Sequence, residues 1–514
     1  MRGDLVTRAE RRLPRSALVP SRDRRRIALS SHVRHTEVTS PLAGADSVRA
    51  TSDPPKRHEH PRSAFVKTIV RSLSTAAVLI LLAAASAGRA VAEEKKEEPT
   101  LSEIVNILRE KGLIDDEQYA ALASKAAKEQ AKRSWTDRIS LFGDLRGRFE
   151  SFNYNQDIYT KSIGAHLSDR YRARYRARLG VTADVVSRAA VTLQMNTNGA
   201  DPRSGNQTLG SGNDFDKDEF RLDLAYMTLT PTPKGELTGI ENGYLGIDAG
   251  KVKNPFIWKL LPADNLLWDN DINPEGANLR ITGGSGPVLL FANGGIYVID
   301  ENATGKDPLV GGGQIGGSVK LADWVTLGAR GTLYHFFSLD DDFFTRAASN
   351  PTAPGGTGGN IIDGLSRRNG SIQIAEGSAF VTFVPHKLLP VTFYGTFAHN
   401  LSAHPSLVSN ADSEDDAWTA GVLVGDYVSL VAIGFAYYYV EANAFPSMYL
   451  ESDVLDGTPN RQGYMVSLRR QLFENVELGL RGFKSKRIEG GTAFVNSGPA
   501  SDRLRGQADL TFKF

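Results

Sequence analysis

Five arginines at alternate positions form the chain's most distinctive chemical pattern. They lie in the stretch DRYRARYRARLGV, residues 169–181, and are Arg170, Arg172, Arg174, Arg176 and Arg178. On a β-strand this spacing places all five side chains on one face, whereas on a helix it would spread them around the axis. Neighbouring guanidinium groups repel one another, so that face needs water, anions or carboxylates. The opposite face, which includes Tyr171 and Tyr175, is apolar and must contact an apolar medium.

Two further stretches alternate charged and apolar residues, with charges of both signs. They are LFGDLRGRFE (141–150) and EFRLDLAYMTLTP (219–231), where Phe220, Leu222 and Leu224 are expected on the apolar face. The charged residues predicted on the same inner face as the arginine row are Asp144, Arg146, Arg148, Glu150, Glu219, Arg221 and Asp223. Two interpretations stay open: the carboxylates only neutralise the arginines, or the arginines form a path for anions.

These stretches belong to a long series of predicted strands that begins near residue 138. Most are 10–14 residues long, as tilted membrane-spanning strands are. Their connections alternate between long polar segments, such as 198–217 and 338–370, and tight joins, such as 184–187 and 284–287. That alternation predicts an all-β transmembrane antiparallel barrel of about 16 strands over residues 138–514. Charge on the lipid face costs about 2–4 kcal/mol per arginine near the midplane, so the arginines must face the lumen.

The long segment 250–279 is the third long connection in this series. General porins fold the equivalent loop into the barrel, and we expect the same here, with the charged residues Lys253, Asp264, Asp269, Asp271 and Glu275 at the constriction. A calcium loop is the alternative, but Gly276 is misplaced for an EF-hand and no glutamate follows at the required distance. We therefore predict no metal site.

Enzyme motifs are missing from the sequence. The letters GGGQIG at 311–316 match a dinucleotide-binding pattern, but no helix is predicted after them. The chain has no cysteine, which excludes disulfides and thiolate metal ligands. No catalytic residue and no cofactor are predicted.

The N-terminal region reads as targeting sequence. Residues 66–92 combine Lys67 and Arg71 with an apolar run and end on Ala90-Val91-Ala92, which predicts a secretory signal peptide. Residues 1–65 form a basic extension that we expect to be disordered, and a start codon assigned too far upstream would explain them. The chain after residue 92 has 43 Lys+Arg and 52 Asp+Glu, a net charge of −9, which argues against a nucleic-acid partner.

Residues 93–137 are predicted to form a periplasmic helical hairpin or coiled-coil segment. Thr100 with Glu103 and Asp115 with Gln118 have the spacing of helix N-terminal caps. A simple hairpin and an oligomerisation element are equally compatible with this pattern.

The motifs GKVKNPF and LLWDNDINPEG, after the first strand LFGDLRGRFE, resemble the putative porin family of Gram-negative bacteria; the resemblance covers roughly residues 100–514. The sequence is more distantly similar to phosphate-selective porins. The final strand RLRGQADLTFKF, which ends on Phe514, resembles the C-terminal signal read by the barrel-assembly machinery. The resemblance implies a cell outer-membrane channel for passive diffusion of small hydrophilic solutes and ions, with lipid and a homotrimer as expected partners. A non-channel barrel, either a surface scaffold or a barrel-embedded hydrolase, is the alternative.

Overall fold

The computed structural model describes the barrel strands and most of their connections. The described residues are 108–109, 111, 113–131, 135–154, 169–197, 199, 201–210, 215, 217–232, 242–259, 261, 265–303, 305–339, 360–365, 370–407, 411–489 and 502–514. The basic extension 1–65, the predicted signal peptide 66–92, the cap at Thr100 and Glu103, and the constriction candidate Asp264 lie outside the described residues.

In the described part of the chain, a helix with defined bounds precedes the strands. Helix α1 (Asp116–Ala131) begins with the predicted cap: the Gln118 N–H donates to Asp115 Oδ1 at 2.7 Å, and the Asp115 N–H donates to Gln118 Oε1 at 3.2 Å. A single 3₁₀ turn, Trp135–Arg138, then leads into the first strand. Within the described part of the chain, no helix is long and apolar enough to cross a membrane.

Sixteen antiparallel strands close into a barrel, as the sequence predicts. A two-residue strand, β4, lies in a loop and pairs with β2. The strands are β1 (Ile139–Tyr154), β2 (Arg170–Val186), β3 (Ala189–Thr197), β4 (Gln207–Thr208), β5 (Phe220–Thr232), β6 (Tyr244–Lys251), β7 (Glu275–Gly283), β8 (Val288–Val298), β9 (Leu309–Ala322), β10 (Val325–Phe337), β11 (Ile372–Phe383), β12 (Val391–Asn400), β13 (Asp416–Val424), β14 (Ala432–Val440), β15 (Arg461–Phe473), β16 (Val476–Arg487) and β17 (Arg503–Lys513).

Closure comes from β1, which pairs with β2 on one side and with β17 on the other. Every backbone donor and acceptor along the sheet can then find a partner strand, which is the condition for crossing a bilayer. The tight joins and both ends of the strand series lie at one end of the barrel, which we call the short-turn end. The long connections lie at the opposite, long-loop end.

The two faces of the barrel differ as the alternation predicts. Leu145, Phe149 and Tyr171 are 40–49% exposed on the outside, whereas Arg148 and Glu150 between them are buried on the inside. The exception is a bulge between β3 and β5 at Gln194/Met195. It shifts the register of β5, so Leu224, expected outside, is buried inside.

Two long loops fold into the barrel and share a hydrophobic cluster. The inward loop 252–274 contributes Trp258 and Trp268, and the inward loop 441–460 contributes Phe445 and Met448; all four are buried. A backbone bridge between Trp268 and Leu450 joins the two loops. A short helix, α2 (Ile362–Leu365), packs in the same cluster through Leu365. The barrel interior is therefore filled and largely apolar along β8–β14, apart from the buried Arg330–Glu376 ion pair, and charged on the side of β1 and β2.

Candidate functional site

A polar cavity of about 340 Å³ lies on the charged side of the interior. Strands β1, β2, β16 and β17 form its wall, and the two inward loops and the 201–206 segment close it. Among the described residues, eight arginines line it, against five carboxylates. The arginines are Arg146, Arg172, Arg174, Arg176, Arg203, Arg481, Arg503 and Arg505, and the carboxylates are Asp201, Asp269, Asp271, Glu451 and Asp453. We call this space the arginine cavity.

Glu150 holds together the part of the wall toward the long-loop end. Its side chain is fully buried, and its carboxylate accepts hydrogen bonds from Arg172 Nε at 2.5 Å and from Arg505 Nη2 at 2.6 Å. Gln507 donates to it at 3.0 Å, and Arg174 Nη1 lies 3.6 Å away. A buried carboxylate is stable when paired in this way, and it fixes the arginines around it.

Asp453, from the inward loop 441–460, lies beside Glu150 and shares its donor Arg505. Arg148 Nη1, Arg481 Nη2 and Arg505 Nη2 each donate to it at 2.9 Å. The guanidinium group of Arg148 also binds Asp509 through two hydrogen bonds of 2.7 and 2.8 Å. Burial opposes ionisation of Asp453, but these arginines hold its pKa well below its usual range. Ion pairs thus join the loop to the barrel wall.

Arg146 differs from its neighbours because no carboxylate lies within ion-pair distance of it among the described residues. Its Nη2 donates to Asn206 Oδ1 at 2.7 Å, and its Nε has no hydrogen-bond partner there. Arg174 Nη2 donates to Ser204 Oγ and to the Asn206 carbonyl, and its Nε likewise lacks a partner in the described structure. These two side chains present donors that an anion can use.

Arg176 and Arg178 continue the row toward the short-turn end and share Asp144. Arg176 Nη2 lies 2.9 Å from Asp144 Oδ1, and Arg178 Nη2 lies 2.5 Å from Asp144 Oδ2. Arg176 also reaches Asp271 of the inward loop 252–274 at 3.3 Å. Asp144 and Glu150 thus form ion pairs with arginines of the row, as one of the two interpretations of the sequence expects.

Asp269 and Asp271 titrate differently although they are two residues apart. Burial, and then the negative charge of Asp271, raise the pKa of Asp269 to about 7. Burial also acts on Asp271, but Arg176 and Arg146 outweigh it and lower the pKa of that carboxyl. Near neutral pH, the cavity therefore carries less negative charge than its five carboxyl groups suggest.

The remaining predicted residues lie away from the arginine cavity. Arg170 is exposed at the long-loop end of β2. Glu219 and Arg221 form an exposed ion pair with each other, and Asp223 accepts from Gln194 and Asn273. Two predicted loop residues also lie elsewhere: Lys253 faces a second cavity, and Glu275 begins β7 and pairs with Lys251 at 2.8 Å.

One group of possible metal ligands occurs in the described part of the chain. His399, Asp415 and Asp416 place one ligand atom each within 4.8 Å of one another at the long-loop end. The three are half-buried, and ion pairs between His399 and the two carboxylates account for the grouping. We assign no metal to it.

Comparison with known families gives one match. Residues 159–353, which include the arginine row and the inward loop 252–274, match the model of a family described as "putative porin". The resemblance to putative porins is confirmed. No curated protein sequence matches the chain.

Solved structures of outer-membrane channels show similar chain courses at low identity. OprB of Pseudomonas putida is 12% identical, with 75% of this chain and 97% of that chain covered and a TM-score of 0.46. The outer membrane channel DcaP of Acinetobacter baumannii is 12% identical, with 73% and 97% covered and a TM-score of 0.38. A triple mutant of Rhodopseudomonas blastica porin is 12% identical, with 73% and 100% covered and a TM-score of 0.36.

Sequence reasoning on this chain misses part of the arginine cavity. Arg203, Arg481, Arg505 and Asp453 are absent from the predicted set but complete the wall. The alternation of β17 places Arg503, Arg505 and Asp509 on its inner face, and this pattern could have added them. Asp453 follows the apolar stretch AFPSMYL in a long loop, and such a stretch is itself a signal that the loop is buried.

Proposed function

We propose that this chain is an outer-membrane porin whose water-filled channel lets small hydrophilic solutes and ions diffuse passively, with a preference for anions. The observation that carries the preference is the arginine cavity, where eight arginines face five carboxylates inside a closed barrel. Rings and rows of arginine lower the barrier to anion passage. The family and the fold imply a channel rather than an enzyme, and the proposed mechanism has no chemical step.

Selection in this proposal has two parts. The inward loops 252–274 and 441–460 fill part of the barrel, so solutes are limited by size to the space that the loops leave open. There the arginines are held in place by Glu150, Asp144 and Asp453 and do not collapse onto one another. The arginine side chains are therefore already ordered when an anion enters, so little further ordering is needed to bind it. The predicted constriction role belongs to this proposal for Asp269 and Asp271, which line the arginine cavity.

Placement in the outer membrane follows from the family and the barrel. The route to it is part of the proposal: export by the signal peptide at 66–92, and insertion by the barrel-assembly machinery through the strand that ends on Phe514. A homotrimer is the proposed assembly. Neither a metal nor a cofactor is required for diffusion.

Reversal potential across a planar bilayer in a salt gradient tests the function. Arg146→Gln removes a cavity charge without leaving a carboxylate unpaired, and we expect it to shift the reversal potential toward cation preference. Lys486→Gln is the matched control, because it removes one positive charge from an exposed position on the outer face of β16. A wild-type protein without conductance steps would favour the non-channel barrel. Equal shifts of the reversal potential in both variants would show that the arginine cavity does not lie on the permeation path.

A further inference from the structure

A second cavity, of about 420 Å³, lies between the segment 253–259 of the inward loop and the inner faces of β5–β9. We propose that it binds organic monoanions that carry an aromatic or aliphatic body, such as aryl carboxylates. This inference rests on the proposed channel function, because the cavity lies inside the barrel. We call it the amphiphilic cavity.

One side of the amphiphilic cavity is apolar. Ile257 and Leu289 line it together with the rings of Tyr226 and Phe291. Leu289 is 42% exposed although it lies on an inward-facing position, so its surface is open to the interior. Among the described residues, Phe152 is the one aromatic residue that lines the arginine cavity, and the guanidinium groups of Arg172, Arg503 and Arg505 cover its ring. Open apolar surface beside water is a binding feature for a solute with an apolar body.

The loop segment that forms the roof is fixed to the barrel wall. Asn293 Nδ2 donates to the Pro255 carbonyl at 3.3 Å. Gln314 Nε2 and Arg330 Nη1 donate to the Phe256 carbonyl at 3.1 and 2.5 Å. Trp258, beyond these anchors, packs against Phe291 with ring centroids 6.3 Å apart. A roof held at consecutive carbonyls defines a preformed site rather than a chance gap between mobile groups.

Two lysines supply the charge of the cavity. Lys253 and Lys259 line it, both are exposed to the interior, and neither forms an ion pair within the described structure. The carboxylate of Asp248 offers them no compensation, because Arg280, Thr228 and Asn278 already donate to it. Among the described residues that line the cavity, the two lysines are the charges left beyond the Arg280–Asp248 pair. A single anionic head group is the complementary ligand.

The wall also contains donors without acceptors. Trp258 Nε1 and Asn254 Nδ2 have no hydrogen-bond partner among the described residues, and each residue is only 5% exposed. Both lie in the segment 253–259 that lines the cavity. Buried donors are rarely left unpaired, so these two nitrogens are an unusual feature of the segment that forms the roof.

The ligand class follows from combining these features. Inorganic anions would use the lysines but gain nothing from the apolar wall, and neutral aromatic solutes would leave the lysines unused. A solute that carries one carboxylate on an apolar body uses both. The amphiphilic cavity thus favours a different class of anion from the arginine cavity, which offers guanidinium groups alone.

Single-channel recordings with added benzoate test the proposal on the purified, full-length protein. The readout is the benzoate concentration that halves the potassium chloride current. Acetate, with the same head group and no ring, and benzamide, with the ring and no charge, are the comparison solutes. We expect benzoate to reduce the current at concentrations where acetate and benzamide do not.

Two variants separate the contribution of the lysines from that of the apolar wall. K253Q/K259Q removes the head-group charges and should raise the half-blocking benzoate concentration roughly tenfold or more. L289N reduces the apolar wall at an exposed position and should also raise it. The matched control K306Q/K320Q removes two positive charges from exposed positions outside the cavity and should leave it unchanged.

The outcomes are distinguishable. Normal potassium chloride steps with equal effects of benzoate and acetate, or an unchanged half-blocking concentration in K253Q/K259Q, overturn the amphiphilic cavity and leave the porin function standing. A wild-type protein without any conductance steps overturns the porin function, and the cavity proposal falls with it.

Discussion

At the scale of residues, the arginines inside the barrel divide into two kinds. Arg148 is 3% exposed and fully engaged with Asp509 and Asp453, so its charge is compensated and its position fixed. Arg146 donates to an amide oxygen and has no carboxylate partner in the described region. The first kind holds the wall together, while the second keeps an uncompensated charge for solutes. A single row in the sequence therefore contains residues with different roles.

Replacing Arg148 by Gln should destabilise the barrel strongly. Removing one partner of a buried ion pair leaves the other charge uncompensated and costs about 3–5 kcal/mol. The measurement is unfolding of the refolded protein in lipid vesicles by urea, followed by the shift in gel mobility of the folded barrel. Arg221→Gln is the control, because the Arg221–Glu219 pair is exposed, and we expect no measurable change there. Equal stability of the two variants would contradict a structural role for Arg148.

The partners of the arginine row show how far residue-scale reasoning reaches. Asp144 and Glu150 lie on the neighbouring strand in chain order, so a period of two is enough to predict them on the same inner face as Arg178 and Arg172, which they oppose. Arg505 and Asp509 meet the same wall only because the barrel closes, and Asp453 only because a loop folds inward. Contacts between strands that are neighbours in the sequence are predictable from the pattern alone. Contacts between the first and last strands require, in addition, that the series of strands closes, and the contact of Asp453 requires that its loop folds inward.

At the scale of elements, the two inward loops act as one unit. The Ser452 N–H donates to Asp269 Oδ2 at 2.8 Å, and the Asp269 N–H donates to the Tyr449 carbonyl at 2.9 Å. Asp269 therefore links the loop 252–274 to the loop 441–460 beside the bridge between Trp268 and Leu450. The inward fold of the first loop is expected from its place in the chain. That of the second is not, because a long connection between strands usually predicts solvent exposure.

Raising the pH should weaken the packing of the two loops. The pKa of Asp269 is about 7 in the folded protein and near 3.8 when the chain is unfolded, so its stabilising contribution is complete below about pH 3.8 and is lost as the pH rises through about 7. Between pH 5 and 8, the thermal midpoint of wild type should therefore fall. Asp453 does not contribute to this change, because its lowered pKa keeps it ionised throughout that range.

Asp269→Asn tests the assignment of this pH dependence. The variant cannot ionise at this position, so its thermal midpoint should vary less with pH than that of wild type, whatever its absolute value. Glu219→Gln is the control, since that carboxylate is exposed and lies away from the loops. Parallel pH profiles for wild type and Asp269→Asn would show that another group controls the titration.

At the scale of the whole molecule, the last residue completes the closure. The Gly143 N–H donates to the Phe514 carbonyl at 2.9 Å, and the Phe514 N–H donates to the Gly143 carbonyl at 3.1 Å. A Cβ at position 143 would lie 2.6 Å from the Phe514 ring, so glycine there lets the ring pack over β1. The prediction of an apolar outer face on the last strand is consistent with Leu504 and Phe512, which are 55% and 46% exposed. Closure removes the free edges that would otherwise invite aggregation.

Comparing substitutions at Phe514 and Phe512 distinguishes loss of lipid contact from loss of recognition by the assembly machinery. Phe512 on β17 and Phe514, just after its end, both point outward, so replacing either by Ser removes a similar apolar contact with lipid. If the assembly machinery reads the chain end, Phe514→Ser should lower the amount of folded protein in the outer membrane of a Gram-negative host far more than Phe512→Ser does. Purified protein refolded into lipid vesicles meets no such machinery, so both variants should fold there to comparable yields. Equal losses in the cell would attribute the effect to lipid contact and contradict a terminal signal.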